Sequence, residues 1–413
     1  MPSYNIRIIC ALTIAALNVS QAHAQRDKVE IERPWAMHVI DNTSAGADGT
    51  KLADLDGDGD EDIVAGWEQG NVARLYFDPG DADERWPFLS LPAPDVEDAL
   101  PVDLDADGYH DIVTCSEGEY QRVTIHWAPS SRSKYKNVAY WKTRDVPATI
   151  GKTRWMFAEP MDIDGRHGID LVVGSKDPNG TLGWLQAPEN PRDMDGWQYH
   201  EISKTAWIMS IEIRDMDHDG LADILVSDQH GDRGVRWLKN PGRDSKKLYK
   251  RWKNNDIGMQ GRKVLFLGVA DTDDNGLPEI YAPSLDGPYF MRFIQLDKTG
   301  LNWSRERFEN PPRGGPHCKS MAIADINEDG KPDLVSTYGG ARGKLCVMWS
   351  EWDSANKDWI HYDVSGLAGI KTDFAVVRDM DGDGDLDILT CEEANNAQEG
   401  SGLGIIWYEN PHK

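Results

Sequence analysis

One nine-residue pattern recurs seven times along this 413-residue chain: DLDGDGDED from Asp54, DLDADGYHD from Asp103, DIDGRHGID from Asp162, DMDHDGLAD from Asp215, DTDDNGLPE from Asp271, DINEDGKPD from Asp325 and DMDGDGDLD from Asp379. The copies return about every 54 residues, and a repeat of that length confines the chain to a solenoid, an array or a propeller. Short β-type runs follow each copy, such as DILVSD and DILTC, and then segments such as GVRWLKNP and GIIWYENP. They are bounded by turn residues and show no helical period, so each repeat is a set of short strands.

A second marker fixes the count of strands. One tryptophan lies 17 to 22 residues before each copy: Trp35, Trp86, Trp141, Trp197, Trp252, Trp303 and Trp359. Each repeat reads as strand, acidic loop, strand, turn, strand, turn and a Trp-bearing strand, which is one four-stranded antiparallel propeller blade. The last repeat ends without its Trp strand, while a spare one stands at Trp35 ahead of the first loop. The expected fold is all-β, a seven-bladed β-propeller over residues 25–413. The strand around Ile31 to Ile40 should complete the last blade and close the ring, removing exposed sheet edges.

Residues 1–24 read as a secretory signal. Arg7 precedes an apolar run from Ile8 to Val19, and Ala22-His23-Ala24 has the small-x-small form of a cleavage site. The run is too short to span a bilayer and no later stretch is long and apolar enough, so the expectation is a secreted or periplasmic monomer with no membrane insertion. Loss of Arg7 moves the formal charge from −26 to −27. That excess of acid argues against nucleic-acid phosphates and anionic lipid as partners. Cys115, Cys318, Cys346 and Cys391 remain, and their spacing leaves two disulfides and buried thiols equally open.

The loops explain much of the acid. Carboxylates at positions 1, 3, 5 and 9 with a glycine at 6 gather hard oxygens around one point, and positions 1, 3 and 5 are spaced as in an EF-hand loop. The expected Ca²⁺ ligands are Asp54, Asp56, Asp58 and Asp62; Asp103, Asp105, Asp107 and Asp111; Asp215, Asp217, Asp219 and Asp223; Asp271, Asp273, Asn275 and Glu279; Asp325, Asn327, Asp329 and Asp333; and Asp379, Asp381, Asp383 and Asp387. The third copy places Arg166 at position 5 and shifts its glycine to Gly168, so a weak or empty site is expected there and about six sites overall. Ligand positions hold 25 of the 70 acidic residues, and six bound Ca²⁺ would bring the mature charge to about −15.

On these residues the chain resembles the FG-GAP (VCBS-type) repeat family, the calcium-loop propellers that include integrin α-subunit heads and certain fungal lectins. The resemblance spans the mature chain, and six copies match Dx[DN]xDGxxD position by position. More narrowly, HVIDNTSAGADGTKLADLDGDGDEDIVAGW and the closing ILTCEE and GIIWYENP are similar to bacterial secreted relatives of the propeller in fungal aldos-2-ulose dehydratases. That likeness implies sugar chemistry, and no catalytic residue is carried over from it.

Segments entering the first strand and leaving the second lie on the face opposite the loops, the expected binding face. They supply a cluster of cations, among them Lys51, Arg154, Arg262, Lys319, Lys371 and Arg342, which suits a carbohydrate, including an anionic one. Of the histidines only His230 and His317 fall there, and Trp67, Trp155 and Trp207 offer flat faces to sugar C–H groups. Two functions follow. In a carbon–oxygen lyase or dehydratase, Arg154, Lys319 or Arg262 stabilises the enolate, His317 or His230 is the base, and Tyr338 or Tyr120 the acid. In a non-catalytic glycan- or protein-binding propeller the tryptophans dominate, and solvated lysines and inter-blade packing of tryptophan are the structural readings of the same residues.

Overall fold

The computed structural model describes residues 29–30, 33–81, 84–231, 233–393 and 402–411; the expected signal segment 1–24 lies outside them. Seven antiparallel sheets follow one another along the chain. The first holds Ala47–Ala53, Asp62–Trp67, Val72–Tyr76 and Phe88–Pro92. The seventh holds Thr372–Arg378, Asp387–Glu392, Gly404–Glu409 and, as its outer strand, Ala36–Asp41 from the other end of the chain. The expected closure is therefore present, with the closing strand a few residues later than the sequence placed it. One addition was not foreseen: Val29–Glu30 pairs in parallel with Asp358–Asp363, so the sixth blade has five strands. Among the described residues no helix is long and apolar enough to cross a membrane.

The burial of each strand follows from its place in the blade. Second strands such as Asp62–Trp67 and Asp111–Ser116 are buried at every residue, because both faces of the blade pack against a neighbour. That is why they read as continuous runs and not as alternating ones. The marker tryptophans close the loops before the outer strands: the indoles of Trp141, Trp197 and Trp252 donate to the carbonyls of Tyr135, Pro191 and Leu248 at 2.8, 2.8 and 3.0 Å. All four described cysteines are free and buried, which decides between the two readings of the thiols.

Inner strands carry a bulge near their start in six blades, between Asp48 and Thr50, Val96 and Asp98, Trp155 and Phe157, Ile208 and Ser210, Cys318 and Ser320, and Thr372 and Ala375. A bulge re-aims the side chains that follow it. Here it brings residues of both phases to the central axis.

His126 sits fully buried with both ring nitrogens engaged, by Thr114 Oγ1 at 3.2 Å and Thr143 Oγ1 at 2.9 Å. Burial pushes its imidazole down to about 4, with Asp145 opposing. The folded state thus holds a neutral ring whose contribution is complete above the unfolded value and lost as the pH falls from about 6.5 to about 4. The loss is about 3 kcal/mol. Urea titrations across this window should show a shallower pH slope for His126→Gln than for the parent; equal slopes would contradict the assignment.

Candidate functional site

Two arrays of titratable groups result from this fold, one on each face. On the loop face the glycine at position 6 takes a left-handed turn, with φ of 103° at Gly59, 88° at Gly108 and 88° at Gly220. The first carboxylate is fixed by the loop's own N–H groups: Asp103 accepts from Asp107 at 3.1 Å and Gly108 at 2.9 Å. Carboxylate oxygens of Asp54, Asp56 and Asp58, and of Asp103, Asp105 and Asp107, then lie within 4.8 Å of one another. Ligands about 2.3–2.6 Å from one Ca²⁺ stand at most about 5 Å apart, so the spacing fits. In three loops the third-position carboxylate has a buried oxygen without a hydrogen-bond partner, Oδ1 of Asp56, of Asp105 and of Asp217. The donor set and these orphaned oxygens suit a hard cation.

The ninth acid has a second task. Asp62 accepts from Leu55 N–H and Asp78 N–H, both at 2.9 Å, and Asp223 from Met216 at 3.1 Å and Asn240 at 2.7 Å. It ties the loop to the end of the third strand. In the third loop Asp162, Asp164 and Asp170 still converge although Arg166 replaces the fifth acid. Neighbouring cations share the loops: Lys136 reaches Asp56, Arg192 reaches Asp105, and Lys239 reaches Asp217 and Asp219.

On the opposite face a cavity of about 500 Å³ opens at the axis. Its wall is built by counting back from each loop. The residue six before the first aspartate is Asp48, Glu97, Met156, Met209, Leu265, Lys319 or Asp373 around the ring. The mouth is therefore two-sided. Blades six, seven, one and two supply Lys319, Asp373, Asp48 and Glu97, while blades four and five supply Met209, Leu265, Trp207, Phe266 and Leu285, with Met156 of the third blade buried behind them in the same apolar cluster.

The structure brings together His317, Lys319, Lys371 and Trp207 of the residues singled out from sequence. His230 stands behind them, its ring edge-on to Trp207 at 4.8 Å. The others are elsewhere. Trp67 and Trp155 are buried between blades, their indoles donating to Tyr76 Oη at 2.8 Å and Thr149 O at 3.1 Å. Tyr338 is buried too, its hydroxyl accepting from Ser336 at 3.1 Å, and cannot serve as an acid at the mouth. Arg262 and Arg342 are exposed outside the cavity, and Arg154 is half-buried beside it, cross-strand from Lys176.

The expected cation cluster is also corrected. Lys176 pairs with Glu117, Lys319 with Asp373 and Lys371 with Glu393, so every lysine of the mouth is neutralised. Six carboxylates line the cavity against three lysines. Sequence reasoning passed over Asp48, Glu68, Glu97 and Asp373, although the count of six residues back from each loop marks three of the four. Asp48 and Glu97 have no ion-pair partner among the described residues. Burial, then Lys176 opposing and Glu68 and Asp373 adding, leaves Glu97 pushed up to about 7. Burial, Glu97 and Asp373 also hold Asp48 well above the usual carboxylate range. Burial alone would lower Lys319, but Asp373 outweighs it and keeps the ammonium charged.

Ring, blades and loops define a seven-bladed β-propeller with acidic loops of the calcium-binding type. The chain carries an FG-GAP-like repeat: residues 325–390 match the family model of that description, and the same loop recurs in the other blades. No curated protein matches the chain. Among solved structures it is similar to BBS1N in complex with ARL6DN, at 12% identity and a TM-score of 0.53 over 92% of this chain and 98% of that one. It is similar as well to an Agrocybe aegerita lectin that recognises non-reducing terminal N-acetylglucosamine, at 13% identity and a TM-score of 0.45 over 77% and 79%. At such identities the first likeness bears on the fold alone.

Proposed function

We propose that this chain is an exported, calcium-stabilised propeller that binds carbohydrate at its axial mouth and acts on it by elimination. One juxtaposition carries the reading: Asp48 and Glu97, without ion-pair partners among the described residues, share one wall of the cavity with the Lys319–Asp373 pair, and the other wall is apolar. A carboxyl held near neutral pH in a cleft, beside a fixed cation, is what proton abstraction requires. The apolar wall with Trp207 suits the C–H face of a sugar ring, and the charged wall suits its hydroxyls.

In this mechanism the Glu97 carboxylate takes the proton from the carbon beside a sugar carbonyl. Lys319 stabilises the enolate oxygen. The electron pair then forms the carbon–carbon double bond as the bond to a neighbouring hydroxyl breaks, and that oxygen takes a proton from Asp48 and leaves as water. Glu97 raises the proton affinity of Asp48, so the proton that Glu97 gains can pass to Asp48 and restore both groups. His317 and Lys371 orient the hydroxyls.

Incubation with aldosuloses should yield an unsaturated product absorbing in the ultraviolet and lighter by one water. Incubation with uronate-containing polysaccharides, where the linked sugar's oxygen leaves in place of the hydroxyl, should yield ultraviolet-absorbing unsaturated chain ends with no loss of water. Turnover should rise with pH through about 7, where Glu97 gives up its proton, and fall at least about 100-fold in Glu97→Gln with binding retained. The rival, a glycan-binding propeller without turnover, is favoured by the apolar wall alone. It requires binding that Trp207→Ala abolishes and no product with any substrate.

A further inference from the structure

A second cavity of about 370 Å³ lies on the same axis, deeper in the ring. Phe157, Phe266 and Phe374, each five residues before its loop, meet across the channel with ring centroids 5.9 and 5.3 Å apart. Between them the same ring places Ser210, Ser320, Gly49 and Asp98. Gly49 must be small, since a Cβ there would stand 3.1 Å from Phe374 and its φ is 70°. The phenyl rings thus part the mouth from an inner chamber, with Phe266 and Met209 lining both.

The chamber's charged groups lie three residues before their loops. Lys51 is held by Asp98 at 3.0 Å, Glu159 at 3.1 Å and the Ala158 carbonyl at 3.3 Å, so its charge is already met. Glu212 has no hydrogen-bond or ion-pair partner among the described residues, and burial, with Glu159 adding and Arg214 and Lys51 opposing, pushes it up to about 7. The chamber it lines is otherwise walled by Ile211, Leu267, Val269, Met321 and the phenyl rings, with Lys51 and Glu159 on the same lining and Arg214 donating to the Val269 carbonyl at 3.4 Å. A half-buried carboxylate without a counterion is costly, and a ligand that brings a positive charge relieves it. A metal ion would need several more oxygen ligands than this wall offers. An organic ammonium needs one carboxylate and aromatic faces, which the wall has.

We propose that the inner chamber is a binding site for a small organic ammonium, with Glu212 as counterion and Phe157, Phe266 and Phe374 as its aromatic wall. The ligand reaches it from the loop face, where Ala53, Ala270 and Ala324 leave space one residue before their loops, Arg214 and Arg378 hold the same position in the fourth and seventh blades, and the acidic loops beyond them draw cations. The site is separate from the carbohydrate mouth, and its existence does not depend on what the mouth does.

Calorimetric titration of the calcium-loaded chain with choline and with its uncharged isostere 3,3-dimethylbutan-1-ol tests this. Choline should bind at one site, at least tenfold more tightly than the alcohol. Glu212→Gln should erase the preference, Phe374→Leu should weaken choline several-fold, and Glu68→Gln, at the mouth, should leave it unchanged. Circular dichroism and the melting temperature establish that each variant is folded. No saturable binding of choline, equal binding of the alcohol, or loss in Glu68→Gln with retention in Glu212→Gln would each overturn the proposal.

Discussion

Withdrawal of divalent cations should lower the melting temperature of this chain by more than about 10 °C, and Ca²⁺ should restore it where Mg²⁺ does not. The expectation rests on what the loops hold together. In each blade the acidic loop joins the inner strand, which lines the axis, to the fully buried second strand, and its carboxylates crowd within 4.8 Å in at least five blades. Without a cation those charges repel one another at the turn on which the blade depends. An ion at a hundredfold excess over its dissociation constant contributes about 2.7 kcal/mol per site. A few such sites equal the whole stability of an ordinary domain, about 5–15 kcal/mol. Mg²⁺ demands ligands at about 2.0–2.1 Å in a near-ideal octahedron and gives up its water reluctantly, whereas Ca²⁺ accepts a flexible set of carboxylates such as these loops offer. Calorimetry in chelator, then with each ion added back, checks this. An unchanged midpoint would show that Lys136, Arg192 and Lys239 already supply all the positive charge the loops require.

The ring was legible because its signals repeat. Seven loops and seven tryptophans at one period determine the blade, and the unmatched strand at Trp35 determines the closure. The loop face was legible for the same reason, since ligand chemistry lies within nine consecutive residues. The mouth was less so, because its wall takes one residue from each of seven distant strands and the bulge in the inner strand shifts the phase by which simple alternation would assign them. Asp48 and Glu97 were overlooked in a chain where acid is common and a lysine draws notice. Trp67 and Trp155 stand at the ends of strands that reach the face opposite the loops, yet the blades cover them from both sides. What could have distinguished Trp207 is its neighbour: it follows the strand end by a turn that a buried aspartate holds.

That aspartate leads to the second large effect. Asp228 and Arg236, on adjacent strands of the fourth blade, form an ion pair at 2.6 Å with neither side chain exposed to solvent. The other carboxylate oxygen accepts from the backbone N–H groups of Ala206 and Trp207 at 3.0 and 2.7 Å. Arg236→Met would leave that carboxylate buried with no counterion, at a cost of about 3–5 kcal/mol, or a fall in melting temperature of about 5 to 10 °C. Asp228→Asn would strand the guanidinium instead, whose Nε and Nη2 already lack partners. Because each single change leaves a lone charge and the double change leaves none, Arg236→Met with Asp228→Asn should recover most of the loss, and the amide oxygen can still receive the two N–H groups. The double variant should therefore keep Trp207 in place, with Lys176 4.1 Å above its ring, and bind at the mouth like the parent. Additive losses in the two single variants would mean that the pair stabilises the blade through packing and not through its charges.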